Sequence, residues 1–375
     1  MSNMADNSFG NIFKITCFGE SHGSMIGVII DGVPPGLVIN ANFIQSELDR
    51  RKPGKSNLSS SRSELDKFEI VSGIINKTTT GAPLSFIVKN EDIDSSPYER
   101  FKDIIRPSHA DYPAYVKYRG YSDIRGSGRF SGRITLAYVI AGAVAKLILE
   151  RYNVNIFAYT ASIGKVLDDS NYANDNITDL IKKRDNSPVH ALFSELSDQM
   201  ITEIETVAKE KDSIGGTIKC IIKNVPIGVG SPIFNSLESR ISSAIFSIPA
   251  IKAIEFGAGF KAARMKGSEH NDLWIIKDNK IKTSKNDAGG IIGGLSTGMP
   301  IEFSVSVKPT ASIGKPQKTV NLKTMKEVEL KIEGRHDPCI VPRAVVIVEA
   351  MAALVILDEL MKYEKSIRFN DQEGF

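Results

Sequence analysis

The residues with the clearest capacity for chemistry lie in one stretch, residues 106–133, which reads RPSHADYPAYVKYRGYSDIRGSGRFSGR. It contains five arginines, four tyrosines, four glycines and one histidine, His109, with few aliphatic side chains. Guanidinium groups pair with phosphate and carboxylate oxygens, and glycines let backbone N–H groups approach an anion closely. The stretch is therefore predicted to be a loop that binds a phosphorylated, anionic ligand.

Two other segments carry histidines beside glycine or proline. The sequence GESHG at 19–23 places His22 in a turn between two β-rich runs, and GRHDPC at 334–339 places Asp337 just before an apolar segment. Imidazole and carboxylate groups can transfer protons near neutral pH when their surroundings adjust their pKa values. The turn at 19–23 fits a structural or a functional role equally, whereas the adjacent ionisable residues of 334–339 favour function.

Two more segments leave both interpretations open. RRKPG at 50–54 ends a predicted helix, where its arginines either favour the helix C-terminus or form a second anion clamp. DAGGIIGG at 287–294 is either a plain hairpin turn or a surface that a flat ring or a phosphate can approach.

The elements that must position these segments follow from hydrophobic periodicity. Residues 134–149 and 344–357 are apolar nearly all round, and only Glu349 interrupts the second run. Such helices must be covered on every side, which a helical layer between sheets provides. Each begins just after an arginine-containing loop, so its positive dipole end is expected to face the anion site. Strands are predicted at 13–18, 25–31, 68–74, 82–88, 154–163, 216–225, 253–256 and 300–307, and further helices at 42–51, 179–184, 195–211 and 235–247.

The composition excludes several classes of protein. With 375 residues, 42% of them hydrophobic and 24% charged, the chain is globular and long enough for a large core. The net charge of +3 is nearly balanced, so arginines crowded into two loops favour a small anion over a long polyanion. Three widely spaced cysteines predict a reducing compartment. A polar N-terminus, and no run of about 18–20 apolar residues, predict a cytoplasmic protein without a membrane span.

Two rival functions remain open from the residues alone. His22, His109 and His336 could form a metal site of a lyase or phosphatase, although no His/Glu pair has i, i+4 spacing. The arginine, tyrosine and phenylalanine mixture of 106–133 could instead bind nucleic acid, but such a binder has no use for His–Asp pairs beside glycine turns. GSGRFSG at 126–132 lacks the spacing and the preceding strand of a dinucleotide-binding fingerprint.

Several segments together resemble the chorismate synthase family. The principal ones are GESHG (19–23), RPSHAD (106–111) with RGSGR (125–129), and GRHDPC (334–339). Supporting matches are DGVPPG (31–36), LDRRKPG (48–54), AGGIIGG (288–294) and KPTAS (308–312). They stand in the family's order and cover nearly the whole chain, so the combination is highly specific.

The resemblance implies an α+β fold, a β-α-β sandwich with apolar helices layered between two mainly antiparallel sheets, assembled as a homotetramer. We expect one domain over residues 1–375, with residues 1–9 as a flexible N-terminal extension. The implied reaction is the anti-1,4-elimination of phosphate from 5-enolpyruvylshikimate 3-phosphate to give chorismate, the last step of the shikimate pathway. It requires reduced FMN, which an external flavin reductase is expected to supply, with NADPH only as an indirect reductant.

Carried over motif by motif, the resemblance assigns three catalytic residues. His22 would protonate the reduced flavin, His109 would assist near the substrate or the departing phosphate, and Asp337 would be the base that helps flavin N5 accept a proton. The implied flavin contacts are Arg51, Arg129, Phe130, Ser131, Pro249, Ala250, Gly293, Lys308, Pro309, Thr310, Ala311, Ser312 and Arg335. The implied substrate contacts are Arg50, Arg51, Arg125, Arg129, Arg133 and Arg335, and no metal ligand is implied.

Three positions depart from the family pattern. Phe130 stands where serine is common and Pro249 where asparagine is common, so side-chain hydrogen bonds would be lost while backbone ones remain. Asn57 replaces a basic residue, which argues against an NADPH contact near the end of the first helix.

Overall fold

The chain is described by a computed structural model over residues 6–52, 65–91, 98, 102–332 and 337–373, with side chains as far as Ser366. Its helices are α1 (Ala41–Arg51), α2 (Asp111–Lys117), α3 (Thr135–Leu149), α4 (Ile177–Asp185), α5 (Ser194–Lys209), α6 (Leu237–Phe246), α7 (Gly267–His270) and α8 (Val341–Glu373). Its strands are β1 (Ser8–Phe9), β2 (Lys14–Gly19), β3 (Met25–Asp31), β4 (Phe68–Ser72), β5 (Ile74–Ile75), β6 (Thr78–Thr79), β7 (Leu84–Lys89), β8 (Asn155–Ile163), β9 (Val166–Leu167), β10 (Gly216–Lys223), β11 (Ile251–Phe256), β12 (Trp274–Lys277), β13 (Lys280–Thr283), β14 (Ile291–Ile292), β15 (Leu295–Ser296), β16 (Ile301–Val307), β17 (Gln317–Asn321) and β18 (Lys326–Leu330). Short 3-10 segments lie at Arg125–Phe130, Gly132–Ile134, Glu150–Tyr152 and Gly259–Arg264.

Two five-stranded sheets form the frame, with strand orders β1-β2-β3-β7-β4 and β11-β16-β10-β8-β9. Every pairing within them is antiparallel. In the second sheet β10 lies between β8 and β16, and the register pairs Cys220 with Ala158 on one side and with Phe303 on the other. Remaining strands form small hairpins, β5-β6, β12-β13, β14-β15 and β17-β18.

The apolar helices lie between the two sheets, as the sequence predicts. Helices α3 and α8 pack against each other, α3 also contacting β3 and α8 also contacting β8 and β10. Their approach is close, because a Cβ at Gly142 of α3 would lie 2.3 Å from the Cβ of Ala350 in α8. Buried side chains of both helices and both sheets form one continuous core. The α+β arrangement of a helical layer between antiparallel sheets is thereby confirmed.

One helical segment in this layer is longer than the sequence predicted. With the 3-10 turns at its ends, α3 belongs to a 21-residue helical segment, Gly132–Tyr152, that is long and apolar enough to cross a membrane by length and composition alone. The expectation that no segment reaches this length is corrected accordingly. Of its most apolar window, 72% is buried inside the protein, and packing against α1, α8 and the first sheet accounts for its apolar character.

The N-terminal segment joins the first sheet from Ser8 onwards, nearer the N-terminus than expected. Ser8 and Phe9 pair with Thr16 and Ile15 as strand β1, so the predicted extension over residues 1–9 is wrong at its last two residues. Residues 1–5 lie outside the described part of the chain. The fully buried carboxylate of Asp358 holds the next turn, accepting backbone N–H groups from residues 11–13 at 2.7–3.1 Å.

A cluster of buried charges lies inside the helical layer, centred on Glu349 of α8. Its carboxylate accepts hydrogen bonds from Arg184 at 2.6 Å, Lys146 at 2.6 Å, Arg50 at 2.7 and 3.2 Å, and the N–H of Ala158 at 2.9 Å. Burial alone would raise the pKa of Glu349, but the three cations outweigh it and hold that pKa well below its ordinary value. Glu47 joins the cluster through Arg50 at 2.7 Å and Lys146 at 2.5 Å.

His190 lies against this cluster, which gives a pH dependence to stability. Burial, and then the charges of Arg50 and Arg184, lower the pKa of His190 to about 4. The pKa of a histidine in an unfolded chain is about 6.5. At pH values between about 4 and 6.5, unfolding is therefore accompanied by uptake of a proton at His190. The free energy of unfolding should fall by about 3 kcal/mol as the pH drops through this window, at about 1.4 kcal/mol per pH unit.

Urea denaturation of the wild type and His190→Asn across that pH range measures this contribution. Asparagine is suitable because the backbone φ at this position is 58°, which asparagine tolerates. The variant should lose less stability on acidification, and parallel curves for the two proteins would contradict the assignment.

Candidate active site

The GESHG turn at 19–23 packs against the glycine-rich loop at 125–130, so two predicted segments meet. The N–H of Ser21 donates to the carbonyl of Gly128 at 3.3 Å. His22 is buried, and its ring meets Tyr98 edge-on with centroids 5.2 Å apart. A Cβ on Gly126 would lie 2.2 Å from Cδ2 of His22, so the loop can approach the imidazole this closely only with glycine there.

The RPSHAD segment is held in shape by Arg106. Its backbone N–H, Nε and Nη2 donate to the carboxylate of Asp111 at 2.9, 2.8 and 2.7 Å, and Nη2 also donates to Ser127 Oγ at 3.0 Å. Burial opposes ionisation of Asp111, but Arg106 outweighs it and lowers the pKa of that carboxyl. Asp111 therefore organises this loop, and Arg106 ties it to the glycine-rich loop through Ser127.

His109 bridges two distant segments. Its Nδ1 lies 2.9 Å from the carbonyl of Pro107 and its Nε2 lies 2.9 Å from Ser312 Oγ in the KPTAS turn. Burial, followed by the charge of Arg106, lowers the pKa of His109, so the imidazole is neutral at neutral pH. Because a carbonyl only accepts, Nδ1 carries the proton, and Nε2 then accepts from the Ser312 hydroxyl.

The KPTAS turn at 308–312 joins the central stretch to the last motif. Lys308 Nζ donates to the carbonyl of Ser108 at 3.2 Å, and its backbone N–H donates to the carbonyl of Ala250 at 2.9 Å. Thr310 Oγ1 donates to the carbonyl of Asp337 at 3.1 Å. The turn therefore contacts three of the predicted site segments at once.

Arg51 and Arg133 share the buried carboxylate of Asp66. Arg51 Nη2 donates to Asp66 Oδ2 at 2.9 Å, and Arg133 Nη1 donates to Asp66 Oδ1 at 3.1 Å. Arg133 Nε donates to Asn90 Oδ1 at 2.6 Å, and Asn90 Nδ2 donates to two carbonyls of the GESHG turn at 3.1 and 2.7 Å. This set of hydrogen bonds connects the end of α1 to the turn that carries His22.

Asp337 joins the same cluster through Arg343, in the first turn of α8. Arg343 Nη1 donates to Asp337 Oδ2, and Arg343 Nε donates to the backbone carbonyl of Arg51 at 3.0 Å. Neither Arg343 nor Asp66 was predicted as a site residue. Arg343 could have been found, because an arginine at the start of an otherwise apolar helix is a local signal. No local signal in the sequence marks Asp66.

Among the described residues, Arg51 and Arg133 share one carboxylate, that of Asp66, while Arg343 is paired with Asp337. Burial lowers the pKa of Arg51 to about 10, with repulsion from the two other arginines adding to the effect and Asp66 opposing it. At neutral pH the Arg51 guanidinium therefore stays charged. A bound anion would relieve the repulsion between the arginines, so Arg51, Arg133 and Asp66 form a candidate anion-binding cluster.

A cavity of about 370 Å³ opens where α3 begins, within the roughly 300–1,000 Å³ of small-molecule sites. Its walls include Ile134, Tyr138, Ile248 and Ile251, and its cations are Arg129, Lys252 and Lys308. Six predicted flavin contacts line it, namely Arg129, Phe130, Ser131, Pro249, Ala250 and Lys308. Ala250 has a left-handed φ of 72°, which is unusual for alanine and is often found at functional sites.

Several predicted site residues lie elsewhere. Arg50, expected to contact substrate, is instead bound to Glu47 and Glu349 in the helical layer. Arg125 is half-exposed and paired with Asp123 at 2.8 Å, and Gly293 lies exposed at the tip of the β14-β15 hairpin. In the rest of KPTAS, Thr310 contacts Asp337 and Ser312 contacts His109. Arg335, His336 and Asn57 lie outside the described residues.

The metal alternative finds no support in the described part of the chain. There, no group of three or more His, Cys, Asp or Glu side chains could hold a metal ion. The third histidine of that hypothesis, His336, lies outside the described residues.

A cavity with apolar walls and three cations, in a protein that also has an arginine cluster and ionisable side chains in its predicted site segments, is typical of an enzyme that acts on a small anionic substrate. Comparisons with known proteins agree. A sequence model of the family "Chorismate synthase" matches residues 13–361. The chain is 50% identical over 366 residues to the chorismate synthase of Korarchaeum cryptofilum, covering 96% of this chain and 98% of the relative.

It is also 47% identical over 367 residues to the chorismate synthase of Methanocaldococcus jannaschii, covering 95% and 96% of the two chains. A crystal structure of chorismate synthase matches with a TM-score of 0.75 at 29% identity, covering 95% of this chain and 93% of that one. The chain belongs to the chorismate synthase family, which comprises flavin-dependent lyases of the shikimate pathway of aromatic amino-acid biosynthesis.

Proposed function

We propose that the chain catalyses the anti-1,4-elimination of phosphate from 5-enolpyruvylshikimate 3-phosphate, giving chorismate, with reduced FMN bound. The observation that supports this best is the continuous set of hydrogen bonds from the arginine pair at Asp66, through Arg343, to Asp337 and the KPTAS turn. Elimination of phosphate needs cations for the leaving group and groups that move a proton, and this arrangement provides both within one site.

The substrate carries one phosphate and two carboxylates. The proposed contacts are Arg51, Arg125, Arg129, Arg133 and Arg335. Arg51 and Arg133 are held in place by Asp66 before the ligand arrives, so little of their side-chain entropy is lost on binding. Each charge-assisted contact contributes about 1.5–3 kcal/mol, offset in part by desolvation. Arg50 is left out because Glu349 and Glu47 occupy its guanidinium.

The cavity at the start of α3 fits a flavin. Its aliphatic and aromatic walls suit the ring system, and Arg129, Lys252 and Lys308 suit the phosphate. Phe130 offers an exposed aromatic face, and the backbone of Pro249 and Ala250 forms one wall, so the two departures from the family pattern still line the cavity. Gly293 and Arg335 stay proposed contacts from the motif alone. When bound, reduced FMN supplies electron density transiently and receives the hydrogen removed from the ring.

Three side chains are proposed to handle protons. Asp337, with its carboxylate fixed by Arg343, is the base of the proton transfer. His22, buried beside Gly126, is the acid that keeps the reduced flavin protonated. His109, neutral and accepting from the Ser312 hydroxyl, assists near the substrate or the departing phosphate.

The placement of His22 gives a mutational prediction. Gly126→Ala should lower turnover about a hundredfold, because its Cβ would overlap His22 Cδ2 at 2.2 Å and a displacement near 1 Å can cost that much. Gly36→Ala is the matched control, since Gly36 also has a left-handed φ, 83°, and a Cβ there meets no heavy atom within 4 Å. Steady-state turnover of both variants measures the effect, and equal activities would argue against a role for His22 in this position.

The remaining parts of the proposal rest on the family. They are a single domain, a homotetrameric assembly in the cytoplasm, an external flavin reductase, and NADPH as an indirect reductant only. Size-exclusion chromatography with light scattering tests the assembly, and a monomer at working concentration would contradict it.

The proposed reaction is tested anaerobically. The protein is mixed with dithionite-reduced FMN and 5-enolpyruvylshikimate 3-phosphate, and chorismate absorbance and phosphate release are followed, with oxidised FMN as the control. Equal amounts of both products, formed only with reduced flavin, are expected. A folded protein that binds FMN but forms no product would overturn the proposal, and a chelator-sensitive activity without flavin would favour a metal-assisted lyase.

A further inference from the structure

Arg343 contacts two other residues of the site at once, and the proposed reaction assigns it no role. Its Nη1 donates to Asp337 Oδ2, and its Nε donates to the backbone carbonyl of Arg51 at 3.0 Å. The Asp337 side chain is 10% exposed and that of Arg343 is 26% exposed, so the ion pair lies at the edge of the site and is largely shielded from water.

We propose that Arg343 is a positioning residue that fixes the carboxylate of Asp337, an inference that rests on the proposed function. The backbone at Asp337 and Pro338 is already fixed, because the Asp337 carbonyl accepts from Thr310 Oγ1 at 3.1 Å and the Pro338 carbonyl accepts from the N–H of Ile214 at 2.8 Å. Those bonds leave rotation about the side-chain bonds of Asp337, and the ion pair with Arg343 restricts that rotation.

The second contact ties the base to the anion-binding cluster. Arg51 is the last residue of α1, and its guanidinium holds Asp66 at 2.9 Å while its carbonyl holds Arg343. Arg343 therefore links Asp337 to Arg51, one of the proposed phosphate and carboxylate contacts. A rigid guanidinium can donate in both directions, whereas the single ammonium of lysine cannot reproduce that planar geometry.

The inference is tested with Arg343→Met, Arg343→Lys, Asp337→Asn and the double variant Asp337→Asn/Arg343→Met. Arg343→Met should lower kcat about tenfold or more, with the KM for substrate and the Kd for reduced FMN within about twofold of wild type. Arg343→Lys should recover only part of kcat, since it restores the charge without the two-point contact. In the Asp337→Asn background, Arg343→Met should cost no more than about twofold further, because residues that act as a unit are not additive.

A second readout does not depend on turnover. The free energies of unfolding of wild type, both single variants and the double variant form a cycle, and a coupling between positions 337 and 343 is expected. Additive unfolding energies would overturn the contact itself. Wild-type kcat in Arg343→Met, or an equal loss in both backgrounds, would overturn the positioning role. A loss confined to KM would make Arg343 a substrate contact instead.

The outcomes distinguish a failure of the proposed function from a failure of the proposed role of Arg343. If the wild type forms no chorismate, the proposed function fails and the role of Arg343 fails with it. If the wild type is active and Arg343→Met behaves like it, the role of Arg343 fails alone.

Discussion

Asp337→Asn should lower kcat by at least a factor of about one hundred while leaving the fold and FMN affinity unchanged, because the amide keeps the shape of the side chain but cannot accept the proton. The geometry supports this expectation in two ways. The carboxylate is fixed by Arg343, and its own backbone carbonyl is bound to Thr310 in the turn that also contacts His109 through Ser312. Turnover in the anaerobic assay with reduced FMN, together with FMN binding and thermal unfolding, measures the effect.

Asp212→Asn is the matched control for Asp337→Asn. Asp212 is also an aspartate paired with a cation, Lys315 at 2.7 Å, and lies two residues before Ile214, whose N–H binds the Pro338 carbonyl. It has no proposed role in the reaction, so its turnover should stay within about twofold of wild type. A loss in Asp337→Asn that unfolding fully accounts for would leave no reason to call Asp337 the base.

The order of elements could be predicted from the sequence because periodicity is a local property. The run at 134–149 became α3 (Thr135–Leu149), and the alternating run ending in KPTAS became β16 (Ile301–Val307). The second buried helix was predicted at 344–357, but α8 runs from Val341 to Glu373. The continuous apolar run stops at Leu357, although Leu360, Tyr363 and Ile367 continue with helical spacing. The run alone therefore marks only the central part of the helix.

The roles of individual arginines could not be predicted in the same way. Arg50 and Arg51 are identical neighbours in sequence, yet successive helical residues point about 100° apart. One guanidinium therefore enters the helical layer and pairs with Glu349, and the other pairs with Asp66. The partner that decides this for Arg50 is Glu349, 299 residues further along the chain. A single sequence gives no signal for such a pairing.

The same limit applies to the contacts that assemble the site. His109 and Ser312 are 203 residues apart, and Arg133 and Asp66 are 67 residues apart. The motifs that contain His109, Ser312 and Arg133 could be recognised one by one, because glycine, proline and charge are visible locally, whereas Asp66 lies in no such motif. Which motifs touch is decided by the two sheets and the helical layer, and so becomes visible only in the fold.

Glu349→Ala should destabilise the protein by about 3–5 kcal/mol, the cost of removing one partner from a buried ion cluster. The substitution would leave Arg50, Lys146 and Arg184 facing one another with Glu47 as the carboxylate still bound to two of them. It would also leave the buried N–H of Ala158 in β8 without its carboxylate acceptor. Urea denaturation at neutral pH measures the change.

Glu69→Ala is the matched control for Glu349→Ala. Glu69 also pairs with a cation, Lys89 at 2.8 Å, but both side chains are more than half exposed. Exposed pairs of this kind contribute only about 0–1 kcal/mol, so the contrast between the two variants isolates the effect of burial. Equal losses of unfolding free energy in the two variants would show that burial of the Glu349 cluster adds nothing to its contribution to stability. Lower stability with unchanged turnover per folded molecule in Glu349→Ala would show that Arg50 stabilises the fold and does not bind substrate. Of the two neighbouring arginines, only Arg51 would then remain a proposed substrate contact.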